Sequence, residues 1–184
     1  LIIRMDKQMK KILLVAGAAL ALAGCGEKGD FEKAINAKIG QDKYCFSLDN
    51  KNTSFPIRLA KPRLDSTGTG TNSVILDGFV EQGMMVFELG YDSNVLGITE
   101  EGKKAKVWST TDGACVGRRA VDGIKEWTEP GNGNQKVVRV TYTWKLVDVP
   151  GWIDKKAFAS VKGMNEPADG AMNLFKTSNG WKAN

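Results

Sequence analysis

Val138-Arg-Val-Thr-Tyr-Thr-Trp-Lys-Leu146 sets Val138, Val140, Tyr142, Trp144 and Leu146 on one side of an extended chain, and Arg139, Thr141, Thr143 and Lys145 on the other. A period of two with β-branched and aromatic residues predicts a strand with one buried and one wet face. Such a strand belongs in an antiparallel sheet. Before it, Ala120 to Glu129 reads as an extended segment, ended by Pro130 and the turn Gly131-Asn-Gly-Asn134. After it, Pro150-Gly151-Trp152 breaks the strand, and Asp154 is placed to cap a short helix through Val161. Leu174 to Lys176 and Gly180 to Lys182 read as a closing hairpin around Ser178-Asn179-Gly180. Residues 113–184 are therefore expected to form an antiparallel β-rich half.

Residues 30–112 read differently. Asp30 is expected to cap a helix over Phe31 to Ile39, with Phe31, Ala34, Ile35 and Ile39 on one face and Gly40 as its stop. Tyr44 to Leu48 and Phe55 to Leu59 are short extended pieces, separated by a polar turn. Ser66 to Ser73 is a Gly/Thr-rich connector that lacks the lysine of a phosphate-binding loop. Ile75, Leu76, Phe79 and Val80 then form the stripe of a second helix, stopped by Gly83. Met84 to Leu89 and Val95 to Ile98 flank a turn, and Thr99 is placed to cap the Glu100 to Lys104 segment.

The run from Leu76 to Lys104, with Gly83-Met-Met-Val-Phe-Glu-Leu89 and Leu96-Gly-Ile-Thr-Glu-Glu-Gly-Lys-Lys104, resembles the end of a winged-helix domain. The resemblance implies a winged-helix-like scaffold for the first half. The expected fold class is thus α+β, a winged-helix-like half packed with an antiparallel β-sheet half. It does not imply DNA reading, because this helix carries Asp77 and Glu81 and no Lys or Arg. No nucleic-acid partner is expected.

The N-terminus gives the location. Met9-Lys-Lys is followed by the apolar stretch Ile12 to Ala23 and then by Gly24-Cys25. A short basic segment, an apolar segment and small residues before a cut are the layout of a signal peptide. A spanning helix needs about 20 apolar residues, so this stretch is too short to remain as one. Leu22-Ala23-Gly24-Cys25 resembles the lipobox of bacterial lipoproteins. That resemblance implies a diacylglycerol on the Cys25 sulfur and cleavage after residue 24. Residues 1–24 are read as the signal peptide, with Met9 as the expected start, and residues 25–29 as a tether that reaches at most about 15 Å when extended. In enterobacterial-type lipoproteins an Asp after the acylated Cys favours the inner membrane. Gly26 stands there instead, which implies an outer-membrane site facing the periplasm.

Removal of residues 1–24 takes away Arg4, Lys7, Lys10, Lys11 and Asp6, lowering the formal charge from +5 to about +2. This balance predicts no strong pull toward nucleic acid or anionic lipid. The chain has no His. That removes His-based nucleophile systems and His-ligated zinc, and neither Ser-x-x-Lys nor Gly-x-Ser-x-Gly occurs. No catalytic residue, metal or cofactor is assigned. With Cys25 acylated, Cys45 and Cys115 are an even pair in an oxidising compartment, and a disulfide is expected between them.

Carboxylates are the remaining acid/base groups. Asp122 and Glu126 are expected on one face of their strand and Glu129 on the other, with Trp127 near enough to stack on a sugar. A solvated sheet face is the simpler reading of them. Trp144 is expected in the core, and Trp152 and Trp181 at sheet ends. The expected function is a non-catalytic binding or structural module in the bacterial envelope, held to membrane lipid by Cys25, with a protein or cell-wall component as partner. The alternatives are a carboxylate enzyme on cell-wall glycan and an inhibitor or immunity lipoprotein.

Overall fold

The computed structural model describes residues 26–48, 54–60, 71–128 and 136–183. The signal peptide, Cys25, Glu129, most of the 66–73 connector and the turn at 131–134 lie outside the described residues.

Two antiparallel sheets organise the chain. The larger has the order β1-β5-β6-β7-β8, with β1 Lys43–Phe46, β5 Ala114–Trp127, β6 Val137–Val147, β7 Ala168–Thr177 and β8 Gly180–Ala183. The smaller has the order β2-β4-β3, with β2 Ile57–Ala60, β3 Met85–Glu88 and β4 Ser93–Ile98. Helix α1 covers residues 26–39, α2 is Thr71–Glu81 and α3 is Glu100–Ala105.

Strand β6 keeps the alternation its sequence predicts. Val138, Val140, Tyr142, Trp144 and Leu146 are buried, while Arg139 and Lys145 are exposed. Their cross-strand partners Leu174, Met172, Gly170 and Ala168 on β7 carry the apolar face sideways. On the other side, Trp127, Ile124, Val121 and Arg119 of β5 oppose Val140, Tyr142, Trp144 and Leu146. Helix α1 lies on this face through Phe31, Ala34, Ile35 and Ile39, all buried. The Phe31 ring meets Trp127 and Trp181 edge-on, at 5.4 and 5.2 Å between centroids. The segment around Phe158, Val161 and Met164 closes the face near Trp144.

The expected division into a winged-helix-like half and a sheet half is overturned. The protein is mostly β-structure, built on one curled five-stranded sheet with three short helices. Strand β1, from the first half of the sequence, pairs with β5 through Lys43↔Arg118, Tyr44↔Gly117, Cys45↔Cys115 and Phe46↔Ala114. Helix α1 packs on that same sheet. The local order of helix, strand, turn and strand behind the winged-helix resemblance is present as α2, β3 and β4. The elements before it, however, are committed to the large sheet.

The physical reason lies in β5. Register shifts between Val121 and Gly123, and between Ile124 and Glu126, each insert a residue and spoil the period-two pattern. A further shift beside Tyr44 and Cys45 does the same where β1 joins. These bulges also bend the strand, which suits a curled sheet. A second correction falls at Asp154. Residues 154–162 form successive turns rather than a helix, with hydrogen bonds from Ala157 N to Asp154 O and from Val161 N to Phe158 O. Asp154 still caps locally, its side chain accepting from Lys156 N at 3.0 Å.

The C-terminal end of α2 and the N-terminal end of α3 follow their sequence signals, whereas Asp30, expected to cap α1, lies within the helix. Gly83, at φ 73°, closes α2 with Met84 N to Phe79 O and Gly83 N to Val80 O, the paired bonds of a glycine C-terminal cap. Thr99 caps α3, its hydroxyl accepting from Gly102 N and donating to Gly83 O. The small sheet and α2 join the large sheet at the end where β5 begins. There Trp108 packs between Phe46 and Phe55, and Phe79 of α2 meets Trp152 and Phe158.

Candidate functional site

Residues 26–29 are helical and belong to α1, and residue 26 is next in sequence to Cys25. The segment expected as an extended tether is therefore part of a helix. A helix rises about 1.5 Å per residue, so Phe31 lies about 8 Å along the axis from residue 26. Phe31 is also where α1 grips Trp127 and Trp181. The last residues of β5, the start of β6 and the β7–β8 turn thus sit beside the anchor position. At its other end α1 is fixed by Asn36, whose side-chain oxygen accepts from the Val121 backbone N–H at 2.8 Å.

Cys45 and Cys115 face each other across β1 and β5 and are joined by a disulfide that spans 70 residues of sequence. It fastens an edge strand to the longest strand of the sheet. It also joins the sequence before the small sheet to the sequence after it.

The carboxylates share the outer, polar face of the large sheet. The register shift before Glu126 brings Gly123 and Glu126 opposite Thr143 and Thr141, so both lie on one face. Asp122 reaches Lys145 on that face at 2.7 Å. Asp169 pairs with Lys125 across β5 and β7. Lys125, Glu126, Thr141, Asp169 and Ala171 line an open depression of about 470 Å³. The structure therefore places Asp122 and Glu126 on one face, each in a different setting: Asp122 is ion-paired, and Glu126 lines the depression. Glu129 lies outside the described residues. Among the described residues, no cluster of Cys, Asp and Glu has the arrangement of a metal site.

The tryptophans are structural joints. Trp144 is buried in the core of the sheet, Trp152 packs on α2 and Trp181 closes the sheet against α1. Sequence reasoning missed the surroundings of Trp144. The Arg119 guanidinium lies 5.9 Å from the ring centroids of both Tyr44 and Trp144. Cation–π attraction of this kind is strongest when the pair is desolvated. Burial raises the Tyr142 pKa above 10.0, and the nearby Arg119 charge opposes part of that rise. No sequence period links Tyr44, Arg119 and Trp144; only the β1–β5–β6 register does. The β3–β4 hairpin was expected, but not its exposed apolar residues: Val86, Leu89 and Tyr91 are 41%, 81% and 93% exposed.

Comparison with known proteins adds one feature. Residues 9–25 match the prokaryotic membrane lipoprotein lipid attachment site. The match supports a bacterial envelope lipoprotein, anchored to membrane lipid through an acylated Cys25. No curated protein and no solved structure matches the chain.

Proposed function

We propose that the chain is a non-catalytic binding lipoprotein of the outer membrane, facing the periplasm, that docks an envelope protein through its β3–β4 hairpin. The observation that carries the reading is the clustering of Val86, Leu89 and Tyr91 on this one hairpin, with Glu88 and Asp92 beside them. Exposed apolar residues gathered in one place and rimmed by charge are the usual mark of a protein contact. The placement agrees. Strand β5 runs from the anchored end at Trp127 to the small-sheet end at Ala114, about 40 Å at about 3.3 Å per residue. The small sheet that carries the hairpin is attached at the end of β5 away from the anchor. Gly26 after Cys25 supports the outer-membrane assignment.

Photo-cross-linking in living cells tests the reading. A photoreactive residue at Leu89 is expected to capture one reproducible envelope protein, and the same probe at Lys155 is not. Identical capture patterns at both positions would overturn it. A second reading, a carboxylate hydrolase on cell-wall glycan, draws support from Glu126 on the outer-face depression. Under that reading Glu126→Ala changes the muropeptide profile; under ours it leaves the profile as it was.

A further inference from the structure

We infer that the anchored end of the large sheet makes a second, electrostatic contact with the membrane, through lysines that bind anionic lipid headgroups. The inference rests on acylation of Cys25 and goes beyond it, because an anchor alone does not fix which surface faces the bilayer.

Three observations meet here. Residue 26, next in sequence to Cys25, is already helical, so this part of α1 lies close to the acylated position. The start of α1 is locked to one end of the sheet by the Phe31 contacts with Trp127 and Trp181. That end carries exposed cations. Lys28 lies over the Trp127 ring at 5.8 Å, and Lys176 over the Trp181 ring at 4.9 Å. Lys136 sits beside Lys176 through the bond from Lys176 N to Lys136 O at 2.9 Å, and Lys182 opposes Phe175 in the neighbouring register.

Ion pairs occupy other cations of the large sheet and α3: Lys43–Asp112, Lys103–Glu100, Lys104–Glu101, Arg118–Asp148, Lys125–Asp169 and Lys145–Asp122. Among the described residues, Lys28, Lys136, Lys176 and Lys182 enter no ion pair. The acidic residues near them are Glu27 and Asp30 on α1 and Glu126 on β5. The net charge gives the chain as a whole no strong pull toward such a surface, but lysines held close to an anionic bilayer are attracted to it, and the attraction fades within a Debye length. The Phe31–Trp127–Trp181 cluster sets Lys28 and Lys176 beside the first described turns of α1, and Lys136 and Lys182 adjoin the Phe175–Lys176 stretch. Stacking on Trp127 and Trp181 directs two of the ammonium groups at the sheet end rather than along its faces.

The test uses the acylated protein, purified in detergent and reconstituted into nanodiscs. One set contains phosphatidylethanolamine with phosphatidylglycerol, the other only phosphatidylcholine. Amine-reactive labelling is followed residue by residue with mass spectrometry. In the anionic discs, labelling of Lys28, Lys136, Lys176 and Lys182 is expected to slow by about threefold or more. Lys103 and Lys155 are expected to label alike in both sets. Charge reversal by Lys136→Glu with Lys176→Glu is expected to restore fast labelling at Lys28 and Lys182. Equal labelling in both sets, on protein whose intact mass shows the lipid on Cys25, overturns this inference alone. Equal protection in both sets overturns it too, because proximity without charge selection then explains the result. Protein whose mass lacks the lipid overturns the anchored reading, and this inference with it.

Discussion

Asn36 of α1 accepts a hydrogen bond from the Val121 backbone N–H of β5, across 85 residues of sequence. Val121 stands at the first register shift of β5. The helix side chain thus satisfies a strand donor where the β5–β6 ladder is interrupted. A part-buried donor left without a partner costs about 1–3 kcal/mol. Asn36→Ala is expected to lower unfolding stability by about that amount in a urea melt. Asn36→Asp keeps an acceptor and is expected to cost less. Equal losses in both variants would count against the bond as the cause.

The Cys45–Cys115 bridge closes a loop that spans 70 residues. In the chain-entropy estimate such a loop is worth about 4 kcal/mol. Replacing both cysteines by serine is expected to reduce stability by up to that amount. Adding a reductant should destabilise the native protein and leave the double variant unchanged.

Gly78 sets two effects against each other. Ala is the better helix former by about 1 kcal/mol. A Cβ at Gly78, however, would lie 2.5 Å from the Phe158 ring, which is fully buried. Overpacking of a closed core costs about 1–3 kcal/mol. Gly78→Ala is therefore expected to lower the Tm, against the helix-propensity trend. Gly78→Ala combined with Phe158→Leu is expected to recover part of the loss.

Tyr142 gives an alkaline limit. Its folded pKa is raised above 10.0, first by burial and despite the opposing Arg119 charge. The neutral phenol is favoured in the folded state. The stability it contributes is fully present below about pH 10 and is lost as pH climbs through the raised value. Melts followed by circular dichroism between neutral and strongly alkaline pH are expected to show this decline, and Tyr142→Phe to flatten it.

Much of the architecture was readable where local rules and tertiary packing agree. The β6 alternation, the Gly83 stop and the Thr99 cap are all short-range signals, and each holds. The fold class was not readable, because it depends on Lys43–Phe46 pairing with a strand some 70 residues away, and β5 hides its period behind bulges. The reach of α1 before Phe31 was also obscured. Gly26 and Gly29 are poor helix formers, and Asp30 carries a cap signal, yet residues 26–30 are all helical. At the candidate sites, residue chemistry placed Asp122 and Glu126 on one face. The aromatic pair around Arg119 and the exposure of the hairpin's apolar residues needed the fold.

The contact of Phe31 with Trp181 joins the first described helix to the last strand. Because β8 follows α1 by most of the described sequence, the apolar side of α1 at Phe31 is fully covered only once β8 has joined the sheet.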